Sequence, residues 1–104
     1  MSYSFSELIT RNFNANSTSS FTDSLDTREN TLICFGTKSV SGTHSSHVLT
    51  LQHSLDNATW EDTAYTLTGG GIKDGIQTAV RWHRVRCSTA EGVASLMDVT
   101  IQAK

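Results

Sequence analysis

The chain has 104 residues and a formal net charge of −2. That length holds one core, and that charge excludes a global attraction to nucleic acid or to an anionic membrane. Hydrophobic residues are only 37% and charged residues 17% of the chain; Ser, Thr, Asn and Gly fill the deficit, which is a composition of strands and polar turns.

At the start of the chain, residues 4–11 (SFSELITR) suggest one or two helical turns with Ser4 or Ser6 as N-cap. Residues 12–24 (NFNANSTSSFTDS) have almost no apolar periodicity and cannot bury enough surface to fold alone. Residues 1–30 are therefore expected to form an extended N-terminal arm. Its anchors would be Phe5, Leu8, Ile9, Phe13 and Phe21. Residues 1–7 (MSYSFSE) lack the basic start and apolar core of a signal peptide, and no apolar run approaches the ~20 residues of a membrane span. The protein is expected to stay in the cytoplasm or to assemble there into something larger.

From Thr31 onward strand signals are dense, so residues 31–104 are expected to form the folded domain. Residues 31–38 (TLICFGTK) read as a short buried strand, with Gly36 as a bulge or a point of close approach. Residues 47–55 (HVLTLQHSL) alternate, placing His47, Leu49, Leu51, His53 and Leu55 on one face, the core side. Asp56, Asn57 and Ala58 make a tight turn, and residues 60–67 return as the partner strand of a hairpin. Gly69, Gly70 and Gly71 open a loop to about Gly75 that reads as mobile. Residues 78–88 and 94–103 are two further strands, read as a second hairpin around Gly92. Short antiparallel strands separated by turns predict an all-β, antiparallel β-sandwich, jelly-roll-like, with the arm attached.

The densest functional signal is residues 81–86 (RWHRVR). Alternation sets Arg81, His83, Val85 and Cys87 on one face and Trp82, Arg84 and Arg86 on the other. The latter three form an interface or glycan face: an aromatic, cationic stripe able to stack on a sugar or pair with a neighbouring subunit. Such arginines also lie over aromatic rings and pair across a sheet, for instance with Glu61, Asp62 or Asp98.

Other motifs are weak. His47 and His53 lie about 20 Å apart on a straight strand and cannot share a metal ion, so no metal and no cofactor is expected. Gly69 to Gly71 lacks the Lys-Ser/Thr of a phosphate-binding loop. Asn16 and Asn57 match the glycosylation pattern, which matters only in a secreted protein. Cys34 and Cys87 are expected as free thiols buried in strands, a bridge between packed strands being the alternative. No nucleophile elbow or flagged carboxylate pair is present, so no catalytic residues are assigned and the chain is expected not to be an enzyme.

Residues 36–37 (GT), 48–60 (VLTLQHSLDNATW) and 80–86 (VRWHRVR), with the turn at Gly92 and the closing strand, resemble small β-sandwich virion proteins of tailed bacteriophages. These are capsid decoration (cement) or accessory head and tail proteins. The same rhythm is similar to discoidin-like carbohydrate-binding domains. The resemblance covers about two thirds of the chain; Asn57 stands where Gly is common, and the polar N-terminal stretch departs from the pattern. It implies a virion protein, assembled in the host cytoplasm, that binds the major capsid protein or another virion protein. A homo-oligomer, with a trimer favoured, and a glycan are the other implied partners; nucleic acid and membrane are not.

Overall fold

Period-two alternation is carried furthest by the C-terminal strand. There Ser95, Met97, Val99, Ile101 and Ala103 are buried, and the residues between them are half-buried. The computed structural model describes residues 5–104. Its strands are β1 (Ser6–Asn14), β2 (Leu25–Asp26), β3 (Leu32–Gly42), β4 (Val48–Ser54), β5 (Glu61–Thr68), β6 (Ile72–Gln77), β7 (Trp82–Thr89) and β8 (Ser95–Ala103). They form two antiparallel sheets, β1-β8-β3-β6 and β2-β7-β4-β5. We call them sheet A and sheet B. The all-β antiparallel sandwich expected from alternation is the fold.

The core lies between the sheets. Sheet A contributes Phe13, Ile33, Phe35, Ile76, Met97, Val99, Ile101 and Ala103, and sheet B contributes Leu49, Leu51, Val85 and Cys87. Each fully buried Leu, Ile or Phe stabilises by roughly 1.5–3 kcal/mol. β4 is buried on both faces: Leu49 and Leu51 face the core, while Thr50 and Gln52 are covered from outside.

The N-terminal segment departs from expectation. Residues 6–14 are not helical; β1 pairs with β8 from Ser6↔Ala103 to Asn14↔Leu96. SELITR has too short an apolar stripe to repay helix nucleation, whereas the edge of β8 offers it a full ladder. The proposed Ser4 cap lies outside the described residues, as do residues 1–3. Nor is the rest a free arm. Phe13 is 4% exposed and Ala15 is buried. Thr22 N donates to Val85 O at 2.9 Å, and Cys87 N donates to Ser20 O at 3.0 Å. The polar tract thus clips onto β7 by backbone bonds, which need no apolar side chains. The boundary expected at residue 30 falls inside one folded unit.

Three smaller corrections follow from topology. The triple-glycine loop leads straight into β6, which pairs with β3 from Leu32↔Gln77 to Gly36↔Ile72. β7 and β8 are not a hairpin, because they lie in different sheets. Leu55 is 84% exposed, beyond the end of β4 rather than in the core. The β4–β5 hairpin is as expected.

Gly36 is a point of close approach, as expected. A Cβ there would lie 2.9 Å from Gly71 O and 3.0 Å from Ile72 Cγ1. Thr37 fastens the same crossing: its N donates to Gly71 O at 2.9 Å, and its Oγ1 accepts Gly71 N at 3.2 Å. Gly36→Ala must push backbone aside, an overpacking cost of about 1–3 kcal/mol. Urea unfolding should show the lower midpoint without a change of slope.

Candidate binding surfaces

Sheet B presents its outer face through β7. His83, Val85 and Cys87 point into the core, and Trp82, Arg84 and Arg86 point out, the register that alternation predicts. The Arg84 guanidinium carbon sits 4.3 Å from the Phe21 ring centre and 4.4 Å from that of Trp60. Its Nε donates to Gln52 Oε1 at 2.7 Å; Gln52 Nε2 donates to Asp62 Oδ1 at 2.9 Å. Arg86 forms an ion pair with the same carboxylate, its Nε 3.0 Å from Asp62 Oδ1 but not aligned for a hydrogen bond. Burial, and secondarily the charge of Arg86, lower the pKa of Arg84. At the sheet edge, Arg81 grips Asp26 through two bonds of 3.2 and 3.0 Å and covers the Trp82 ring at 4.6 Å. The pKa of Asp26 is lowered by that hydrogen bond first. Of the acidic partners expected for this strand, Asp62 serves; Asp98 pairs instead with Arg11 at 2.8 Å.

The β4–β5 turn positions Trp60. Asp56 Oδ1 accepts Ala58 N at 2.9 Å, Thr59 N at 2.8 Å and Ser54 Oγ at 2.9 Å, and Asn57 takes a φ of 60°. This is the side-chain-capped turn expected from the Asp-Asn pair. The Thr59 and Ala58 amides lower the Asp56 pKa to about 2. Because the folded value lies below the unfolded one, the stabilisation is present above about pH 4. It is lost as pH falls toward 2. Asp56→Asn should therefore lower the melting temperature at neutral pH and converge on the parent near pH 2. Thermal scans between pH 7 and pH 2 read this directly.

Sheet A presents a different outer face. Its register sets Ile9, Thr100, Gly36 and Ile72 in one row across the sheet. The row is flat in its middle, where Gly36 has no side chain. Ile9 is 41% exposed and Ile72 74%. Phe5, 64% exposed, lines a shallow depression of about 340 Å³ with Cys34, Asp74 and Gln102.

The expected anchors are thus not brought together. Phe5 and Ile9 lie with sheet A, and Phe21 lies beneath Arg84 on sheet B. Leu8 packs on the core, and Phe13 is part of it.

No protein-family model matches this chain, and no curated protein matches it. Solved structures do. The PBSX exported protein XepA superimposes with a TM-score of 0.64 at 15% identity, over 94% of this chain and 36% of XepA. The SPBc2 prophage-derived protein YomS gives 0.63 at 8% identity, over 100% of this chain and 98% of YomS. FLHE gives 0.56 at 12% identity, over 96% and 94%. The likeness is one of fold. The chain spans about a third of XepA and nearly the whole length of YomS.

Two buried polar clusters had no signal in the linear pattern. Glu91, 3% exposed, sits between β7 and β8 and accepts from Ser45 N, Ser46 N and His47 N at 3.1, 3.0 and 2.9 Å. It also accepts from the Ser45 and Ser46 hydroxyls and lies 3.0 Å from His47 Nδ1. A carboxylate on an imidazole is the geometry of a general base. Here His47 Nε2 is sealed from solvent without a partner, so no substrate reaches it and the pair locks two loops. His83 is held by Thr27 Oγ1 at 2.8 Å and Thr78 Oγ1 at 3.1 Å. Burial, then the charge of His53, lowers its pKa to about 4.

Among the described residues, no three His, Cys, Asp or Glu are grouped to hold a metal. Cys34 and Cys87 are free. Burial raises both thiol pKa values, which suits inert thiols. Cys87 is buried as expected. Cys34 is half-buried on the outer side of sheet A, where its thiol faces Gln102 Oε1 at 3.8 Å.

Proposed function

We propose that this chain is a non-enzymatic structural protein of a tailed phage, and that it acts as a capsid decoration protein bound to the major capsid protein. The observation that carries this reading is the outer face of sheet A. It is a flat strip with Ile9 at one end and Ile72 at the other, flanked by exposed Phe5. Exposed apolar surface ringed by polar groups is what a protein partner covers. The name of YomS marks it as prophage-derived, which favours a phage setting for this fold. The buried His83 and Glu91 are spent on internal hydrogen bonds rather than held out toward a substrate.

The experiment is co-sedimentation of the purified protein with heads of the phage that encodes it. Wild type should pellet with heads, and Ile72→Lys should bind about tenfold more weakly, with an unchanged melting temperature because Ile72 is exposed. Wild type that stays in the supernatant at every ratio of protein to heads would sink the reading.

The exposure of Phe21, 43%, favours a second reading, a carbohydrate-binding module on a head or tail. A glycan would stack on the Phe21, Trp60 and Trp82 strip. Arg84 already fills the space between two of those rings, so this reading requires Arg84 to swing out. A glycan titration that shifts and quenches tryptophan fluorescence would support it.

A further inference from the structure

The free edges of the two sheets are guarded unequally. β6 carries Lys73, Asp74 and Gly75 and breaks register against β3 between Ile33 and Phe35. β5 opens with Glu61 and Asp62 and breaks register against β4. β2 is two residues long. Charges, bulges and brevity are the devices by which sheet edges avoid pairing. β1 is different. It runs nine residues and is regular against β8 from Ser6 to Thr10, before the break at Asn12 with its φ of 53°. Among the described residues, no loop makes a backbone hydrogen bond to residues 6–10; a side-chain tie stands at the end of that stretch, where Ser6 Oγ donates to Asn30 Oδ1 at 3.3 Å.

The sequence of that edge is self-complementary. Glu7, Ile9 and Arg11 share the outer face, two residues apart. Set a second copy antiparallel about a two-fold axis at Ile9, and Ile9 lies opposite its own copy. Leu8 then lies opposite Thr10, and Glu7 opposite Arg11 of the partner, twice by symmetry. Moving the axis to Leu8 or Thr10 sets Ile9 opposite Glu7 or Arg11 and pairs no charges. A one-residue slip turns the second copy's faces over. One register therefore satisfies apolar contact, charge and facing together.

Existing contacts do not block it. Arg11 is bound to Asp98 through Nη1 but remains 68% exposed, with donors to spare. Glu7 accepts from Gln102 Nε2 at 2.7 Å and is exposed.

We propose that the protein self-associates into a two-fold dimer through β1, with Ile9 opposite Ile9 and Glu7 paired to Arg11 of the second copy. The dimer joins the two copies of sheet A into one continuous sheet. The Ile9–Thr100–Gly36–Ile72 row is then doubled across the axis. Such an interface is isologous and closes at two copies, not at a trimer. The inference goes beyond the decoration reading and does not depend on it, since it concerns the isolated protein.

The test is register-specific disulfide trapping of the full chain in a Cys34→Ser background, leaving Cys87 in the core, under mild copper–phenanthroline oxidation. Ile9→Cys should give a covalent dimer of twice the 11.3 kDa chain mass. Glu7→Cys alone and Arg11→Cys alone should stay monomeric, and their mixture should cross-link. Equal yields from all the single variants, or no dimer from Ile9→Cys, would overturn the proposal.

Charge reversal provides an independent arm, read by sedimentation equilibrium. Glu7→Arg and Arg11→Glu should each weaken self-association about tenfold, and mixing the two should restore it as a heterodimer. Melting curves confirm that each variant is folded; mixing without recovery would also overturn the proposal.

Discussion

Deleting residues 1–28 should unfold this protein. The truncated chain loses β1 and β2, and with β1 the ladder that covers the outer edge of β8. It also loses Phe13 and Ala15 from the core and the Thr27 hydroxyl that accepts or donates at His83. An uncovered β8 would present a long exposed edge beside a breached core. The expected result is a truncated chain with no cooperative melting transition. The same claim is tested more finely by two aromatic residues eight positions apart. Phe13→Ala opens a cavity in the core and should cost about 3–5 kcal/mol, a large part of the roughly 5–15 kcal/mol that holds a typical domain together. Phe21→Ala removes a surface ring that Arg84 covers and should cost under about 1 kcal/mol. Urea unfolding of the two variants separates these outcomes. If Phe13→Ala were as mild as Phe21→Ala, β1 would not be part of the folded unit.

Glu91→Gln should be the most damaging isosteric change in the chain. The carboxylate receives three consecutive backbone amides, two serine hydroxyls and His47 Nδ1. A glutamine keeps one acceptor oxygen and turns an NH₂ group toward those donors, leaving buried amides without partners. The loop between β3 and β4 then loses its fastening to the loop between β7 and β8. We expect the melting temperature to fall by roughly 10 °C or more. The acid response carries the same signature. Burial alone would raise the Glu91 pKa, but the Ser46 and His47 hydrogen bonds outweigh it and hold the group well below the usual carboxylate range. A folded pKa below the unfolded one means that the clamp stabilises fully above the unfolded value, about 4.3. Its contribution is lost as pH falls below that. The parent protein should therefore lose stability steeply below pH 4, and Glu91→Gln should show a shallower loss. A parallel acid response in both would remove Glu91 from the cause.

Some features of this molecule are local, and the sequence by itself determined those. Two-residue alternation in β4, β7 and β8 identified the strands, their inward and outward faces, and the cationic stripe of Arg84 and Arg86 with Trp82. The Asp56–Asn57 turn followed from side-chain chemistry within four residues. Gly36 announced close approach. Long-range features were decided only by the tertiary structure. Which strand joins which sheet depends on partners dozens of residues away, and so β7 and β8 read as a hairpin although they belong to opposite layers. The polar N-terminal tract showed no alternation because backbone bonds to β7 hold it, and backbone bonds leave no mark on side-chain pattern. Phe21 and Trp60 both pack against Arg84, and Glu91 meets Ser45, Ser46 and His47, because the sandwich closes on them. Local pattern reports the period and facing of a segment; only the packed chain sets the distance between residues remote in sequence.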